Sequence, residues 1–346
     1  MTLMPASIIA GAIRTVESVT LPDSVLRFAV QSLIGTRARS QEPSDIIDRA
    51  FADDMKRRAI ALHTEAANEQ HYELPEEFFG LTLGPQRKYS CCYYETGNET
   101  LGEAENAALA ITAERAGLAD GQRILELGCG WGSLTLYMAA RYPAAAITAV
   151  SNSASQRRYI EGQARARGLD NVRVVTCDMN AFSPDGPFDR VVSVEMFEHM
   201  SNWEALLAKV RGALGPQGRL FIHVFSHRST PYRFDHTDPT DWIGQHFFTG
   251  GIMPSDGLIR QFPGLVEVED EWRWSGTHYA RTATQWIENF DRNEPAIDRI
   301  LREVYGPKAG LWKRRWRLFY LATEGLFGHA NGDEWGVKHY RLRPAT

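Results

Sequence analysis

Apolar residues recur at helix-like spacing from about residue 7 to 70, with Val25, Leu26, Phe28, Ala29 and Leu33 marking one stretch and SQEPSD breaking the pattern. From Gly121 the texture changes. ILELGCGWG is an apolar strand running into glycines, LTLYMAARY has helical spacing, and AITAV is a second strand. The alternation continues through helix QRRYIEGQARARG, strand VRVVTCD, strand FDRVVSVEMF, helix WEALLAKVRGAL with a Gly-Pro stop, and strand RLFIHVF. Five strands alternating with helices predict an α/β core with a mostly parallel, doubly wound sheet. His227 to about Pro263 is rich in Asp, Pro, Gly and aromatics and has no clean period. Long irregular stretches of this kind in compact domains are often functional, so it reads as an insertion beside the site. LVEVEDEWRW and WGVKHYRLR read as closing strands, one of them antiparallel, separated by helices from Ala283 to about Phe327.

Composition narrows the classes. The chain has 346 residues, 43% hydrophobic and 23% charged, as in a soluble globular protein, and no run approaches the ~20 apolar residues of a membrane span. A net charge of -5 argues against a nucleic-acid binder that relies on a broad basic field. The N-terminus lacks basic residues before its short apolar run, which Pro5 interrupts, so a cytoplasmic location is expected by default. Cys91, Cys92, Cys129 and Cys177 form neither a CxxC pair nor a zinc spacing, so reduced thiols and no metal are expected.

The strongest chemical signal is Glu126-Leu127-Gly128-Cys129-Gly130-Trp131-Gly132, set between a strand and a helix. Glycines in such a turn let a ligand approach the backbone at the positive end of a helix. GCGWGS lacks the third glycine of the dinucleotide pattern GxGxxG. It resembles instead the first motif of class I S-adenosylmethionine (SAM)-dependent methyltransferases, which implies a Rossmann-like core. In that resemblance Glu126 sits near the amino-acid portion of SAM, with Gly128, Gly130 and Gly132 beneath it. The second strand ends without the usual acid, leaving Ser151, Ser153 and Gln156 to hydrogen-bond a ribose diol, although Ser153 is equally a helix cap. After the third strand Asp178 could accept from an adenine amino group with Met179 against the ring, although a lone Asp is equally a turn former.

Three further stretches are Lys88–Tyr94 (KYSCCYY), Glu195–Met200 (EMFEHM) and Phe247–Ser255 (FFTGGIMPS). With His223, His278-Tyr279 and Gly332–Trp335 they resemble the superfamily of cyclopropane fatty acid synthases and coclaurine-type N-methyltransferases, from about His71 to the C-terminus. KYSCCYY, FFTGGIMPS, LFGHANGDEWGV and Glu195, where the fatty-acid branch usually has Gly, are similar to the coclaurine-type branch. The resemblance adds Tyr89 and Ser90 to the cofactor site and Phe248 to the substrate pocket. Cys91, Glu198, His223 and Tyr279, with the Phe225 backbone, match positions that hold a bicarbonate ion in cyclopropane synthases. They place the pocket without naming its reaction. The implied regions are a helical lid reaching the start of the SAM site (1–115), a Rossmann-like SAM-binding core (116–226) and substrate-covering segments (227–346).

An alkyl amine with a pKa near ~10 is about a thousandfold protonated at pH 7, a cost of roughly 4 kcal/mol before it can attack a methyl group. A base is therefore useful. Glu198 and His199 follow the fourth strand at the end where open α/β sheets place ligands, and with Glu195 they suit a site for a cationic amine. Phe197, Phe247, Phe248 and Trp274 are candidates for cation–π contact or plain core. The basic, amphipathic stretch Gly310–Tyr320 is expected to pack its aromatic face over the pocket rather than touch lipid. The resulting expectation is a SAM-dependent N-methyltransferase of a small aromatic or alkaloid-like amine, with no metal and no nucleic-acid partner, and with homodimerisation left open. The alternative is transfer of a methylene from SAM to unsaturated acyl chains of phospholipids, which would bring bicarbonate and membrane contact.

Overall fold

The computed structural model describes residues 6–38, 45–63 and 74–345. The start of the family-like region near His71 lies outside the described residues. Helices α1 (Ala6–Ser18), α2 (Asp23–Ala38), α3 (Asp45–Met55), α4 (Glu76–Thr82) and α5 (Leu101–Ala116) precede the core. The core runs β1 (Arg123–Leu127), α6 (Ser133–Arg141), β2 (Ala146–Ser151), α7 (Ala154–Arg167), β3 (Val172–Thr176), β4 (Phe188–Val194), α8 (Trp203–Ala213) and β5 (Leu214–His227). Beyond it lie β6 (Tyr232–Arg233), α9 (Trp242–His246), β7 (Ile252–Met253), β8 (Val266–Ser275), α10 (Gly276–Arg292), α11 (Glu294–Tyr305), α12 (Ala309–Gly328) and β9 (Trp335–Pro344).

Seven strands form one sheet in the order β3-β2-β1-β4-β5-β9-β8. The first five pair in parallel, and β9 runs antiparallel between β5 and β8. This is the doubly wound sheet that the strand–helix alternation predicts, closed by the antiparallel β9 and, beyond it, β8. Strands β1 and β4 are buried over most of their length, Ile124 to Leu127 and Val191 to Ser193 among them, as the inner strands of a parallel sheet covered on both faces are. Local signals fix the helix that leads into β1. Thr100 and Glu103 form a reciprocal capping box at the start of α5, and Gly117 ends it in the left-handed region.

Helices α1 and α2 lie on α12. Leu26 and Val30, with Ile34 on the same i, i+4 row of α2, pack into the aromatic cluster, and Gly325 permits the approach: a Cβ there would stand 2.6 Å from Val30 Cγ1. Three of the apolar positions that marked this helix in the sequence face outward instead, Val25 47%, Phe28 76% and Leu33 43% exposed, because the row that meets α12 is the neighbouring one. Polar links fasten the pair. Arg317 donates to Asp23, Arg27 to Glu324, and Glu17 accepts from Arg315 Nε at 2.7 Å and Trp242 Nε1 at 2.8 Å.

Candidate active site

A cavity at the C-terminal ends of the parallel strands has two lobes that meet at Gly128, Gly130, Gln156, Glu195 and His199. The smaller lobe carries Ser151, Cys177, Asp178 and Met179. The larger carries Tyr89, Ser90, Thr112, Glu126, Trp131 and Ser133 at one end, and Phe225, Phe234, Phe248, Tyr279, Phe319 and Phe327 at the other. A wider, open hollow lies at the opposite edge among Asp120, Arg190, Arg219 and Arg341, away from every motif residue.

The glycine turn is built as its sequence predicts. Gly128, Gly130 and Gly132 all have positive φ, and a Cβ on Gly130 would meet no protein atom within 4 Å, so its backbone is bare towards the cavity. Gly132 serves packing instead: it caps α6, and a Cβ would strike Ile160 at 2.6 Å. Burial pushes the Glu126 carboxyl up to about 8 against the pull of Thr135, whose hydroxyl donates to Oε2 at 2.5 Å. Ser151 Oγ donates to Gln156 Oε1 at 2.6 Å, which orients the amide, while Gln156 Nε2 is buried without a partner among the described residues. Thr112 Oγ1 and Ser133 Oγ on the same cavity wall are also enclosed and have no partner among the described residues. Three orphaned polar atoms around a bare glycine backbone suit a polar ligand with hydroxyl and carboxylate groups, which SAM is. Ser153 does not line the cavity; its Oγ accepts from Gln156 N as the cap of α7. Asp178 Oδ1 accepts from Asn180 N at 2.6 Å, so one oxygen makes the local turn.

At the junction Glu195 occupies the left-handed region, φ 47°, where glycine sits without strain. Three donors hold it there. Oε1 accepts from Cys91 N at 2.9 Å and lies 3.2 Å from His223 Nε2, and Oε2 accepts from Tyr279 Oη at 2.6 Å. Burial raises the Glu195 pKa, while nearby Lys88, the Tyr279 hydroxyl and the Cys91 amide pull it back. Glu198 is fully buried and does not line the cavity: Oε1 accepts from Phe225 N at 2.6 Å, and Oε2 has no partner among the described residues. Burial and the neighbouring Glu195 drive its carboxyl well above the usual range. His199 lines both lobes, its ring 4.4 Å from that of Phe248.

The four positions matched to a bicarbonate site separate into two layers. Tyr279 reaches the cavity, whereas Cys91, His223 and Glu198 stand behind its wall, Cys91 and His223 because they turn towards the Glu195 carboxylate. Of the four candidate cation–π rings only Phe248 lines the cavity. Phe197 packs on Trp203, Phe247 stacks on Phe319 with 4.4 Å between centroids, and Trp274 covers His223 and His339. Helix α12 turns Phe319, Leu326 and Phe327 to the cavity, while Lys313, Arg315 and Arg317 pair with acids of α11, α1 and α2. Thr112 and Ser133 lie on the wall without having been singled out by sequence, as do Lys88 and Trp131, which were named only within their motifs and given no role. Lys88 is buried with its Nζ donating to Ser90 Oγ at 2.6 Å and to Cys91 O at 2.5 Å.

The family model described as "Mycolic acid cyclopropane synthetase" matches residues 61–331. The (S)-coclaurine N-methyltransferase of Thalictrum flavum subsp. glaucum is 33% identical over 345 residues, covering 96% of this chain and 95% of that protein. The cyclopropane-fatty-acyl-phospholipid synthase of Escherichia coli (strain K12) is 34% identical over 291 residues, covering 84% of this chain and 70% of that protein. The crystal structure of coclaurine N-methyltransferase bound to N-methylheliamine and SAH superimposes with a TM-score of 0.93 at 32% identity, covering 97% of this chain and 99% of that one.

Proposed function

The chain belongs to the mycolic acid cyclopropane synthetase family, and we propose that within it the protein is a SAM-dependent N-methyltransferase of a small amine with an aromatic or alkaloid-like body. SAM, when bound, supplies an electrophilic methyl group. Glu126, Gly130, Ser151, Gln156, Asp178 and Met179 are the residues that would hold it, with Thr112 and Ser133 added by their unsatisfied hydroxyls.

The acceptor class rests on Glu195. Its carboxylate takes the Cys91 amide, the Tyr279 hydroxyl and the His223 ring nitrogen, the donors whose positions match a bicarbonate site in cyclopropane synthases. With those donors engaged by the chain's own anion, little is left to hold a second one. What the junction offers is an apolar wall, a fixed negative charge and His199, which suits a cationic amine that must lose a proton before it reacts. His199 is the base in this reading, and Phe248 beside it keeps water away. Phe225, Phe234, Phe319 and Phe327 would contact the apolar body of the acceptor. The coclaurine N-methyltransferase relatives, matched along nearly the whole chain, support the same acceptor class.

Isotope retention tests this. In N-methylation the methyl group moves intact and the lost proton comes from nitrogen, so trideuteromethyl SAM leaves three deuteriums in an amine product. In cyclopropanation a proton is removed from the transferred carbon, so two survive. Three-deuterium amine products and no product from phospholipid vesicles are expected. A two-deuterium lipid product would overturn the proposal.

A further inference from the structure

Behind Glu195 stand two buried histidines and an arginine that methyl transfer itself does not use. Arg115 Nη1 lies 2.9 Å from His339 Nδ1, His339 Nε2 lies 2.9 Å from His223 Nδ1, and His223 Nε2 lies 3.2 Å from Glu195 Oε1. A guanidinium can only donate. His339 Nδ1 therefore accepts, its hydrogen sits on Nε2, and that hydrogen goes to His223 Nδ1. His223 in turn carries its hydrogen on Nε2 and donates it to Glu195. The other end accommodates the same direction, because Glu195 Oε1 is an acceptor there, already taking the Cys91 amide.

The surroundings enclose this path. Both imidazoles are fully buried, and burial together with Arg115 and Lys88 keeps them neutral. Trp274 covers His339 with centroids 4.4 Å apart, Phe221 meets it edge-on, and the Arg115 guanidinium sits 5.0 Å over the Trp272 ring. The charged or titratable groups facing the relay are Lys88, Cys91, Glu198 and Tyr279 at the Glu195 end, and at the other Tyr93, Glu114 and Arg341, which donates to Arg115 O.

We propose that Arg115 and His339 are positioning residues for Glu195, forming with His223 a one-way hydrogen-bond relay that fixes both rings as neutral Nε2–H tautomers and holds the carboxylate in its cage. The effect on rate rests on the methyltransferase reading; the tautomers do not.

Nitrogen-15 NMR of histidine-labelled full-length protein reads them directly. His223 and His339, assigned by their loss in H223Q and H339Q, are expected as Nε2–H with an unprotonated Nδ1 from pH 6 to 9. In turnover, R115M and H339F should lower kcat by about 10- to 100-fold, as loss of an outer-shell partner typically does, with SAH affinity kept. In H339F the carboxylate loses ordered donation, so the acid limb of the kcat–pH profile should move upward. H339Q, whose amide N–H can replace the ring Nε2–H, should recover most of the loss. An Nδ1–H tautomer at either ring, or H339F turning over like wild type with an unmoved profile, would overturn the relay. Should the variants fail to fold, the wild-type tautomers decide. Absence of turnover by wild type on any amine would count against the methyltransferase reading and leave the spectrum to judge the relay.

Discussion

At Gly130 the missing side chain serves a ligand and at Gly132 it serves the fold, so the two should fail differently. Gly130→Val puts a side chain into the cavity without touching protein, and SAH binding by calorimetry is expected to be lost while the melting temperature falls by only the cost of a left-handed Val. Gly132→Val drives into Ile160 and should lower the melting temperature first. Glu126 makes a prediction in protons. Its folded pKa, raised from 4.5 to about 8, means that the ligand-free protein holds this proton at neutral pH; the associated stability is complete below the ordinary value and is lost as pH rises through about 8. Glu126→Gln should therefore show a smaller loss of stability across that window in thermal melts. Because the resemblance puts Glu126 beside the cationic amino-acid end of SAM, binding near pH 7 should release close to one proton, seen as enthalpies that change with the ionisation heat of the buffer. His199→Ala is expected to keep SAH affinity and lose turnover by roughly 10²–10⁴, with partial rescue at high pH as the amine deprotonates in solution. Near-normal rates at neutral pH would assign His199 a structural role.

Among the elements, α12 walls the larger lobe of the cavity and α2 packs on α12, in a contact that depends on Gly325. Gly325→Val would push against Val30, lifting α2 from the helix that carries Phe319 and Phe327; KM for the amine should rise several-fold while SAH affinity, set on the other side of the cavity, stays. The helices between the core strands, strands β1 to β5 and the glycine turn were legible because each is encoded locally, by period and glycines; α5 went unread although a capping box marks its start. The insertion was legible only as an irregular stretch. Its Phe234, Ile243, Phe248 and Met253 join the wall through two short strands and a five-residue helix that no periodic pattern announces. The outward turn of Phe28 was hidden for a related reason: periodicity marks a helix, but which of two adjoining rows is buried depends on the partner helix.

Over the whole molecule, what the sequence hid is what only topology joins. Glu195, Cys91, His223 and Tyr279 were recognisable one by one, yet that they close on each other depends on packing among four separate segments. Arg115 and His339 lie 224 residues apart and meet because β9 enters the sheet beside β5, setting His339 opposite His223. That insertion also sets a timetable. Strand β8 pairs with β9 alone, so it has no neighbour until the stretch from Gly276 to Glu334 has been made, roughly 3 to 12 s at translation speeds of 5–20 residues per second. A nascent strand left waiting is an invitation to pair with the wrong chain, and charge is the usual deterrent. Strand β8 carries Glu267 and, after Val268, the run Glu269, Asp270 and Glu271. In the finished sheet these acids bind Arg343, Arg219, Arg341 and Lys338, three of which arrive with β9 itself, so the repulsion that guards the newborn strand is cancelled by the partner it is kept for.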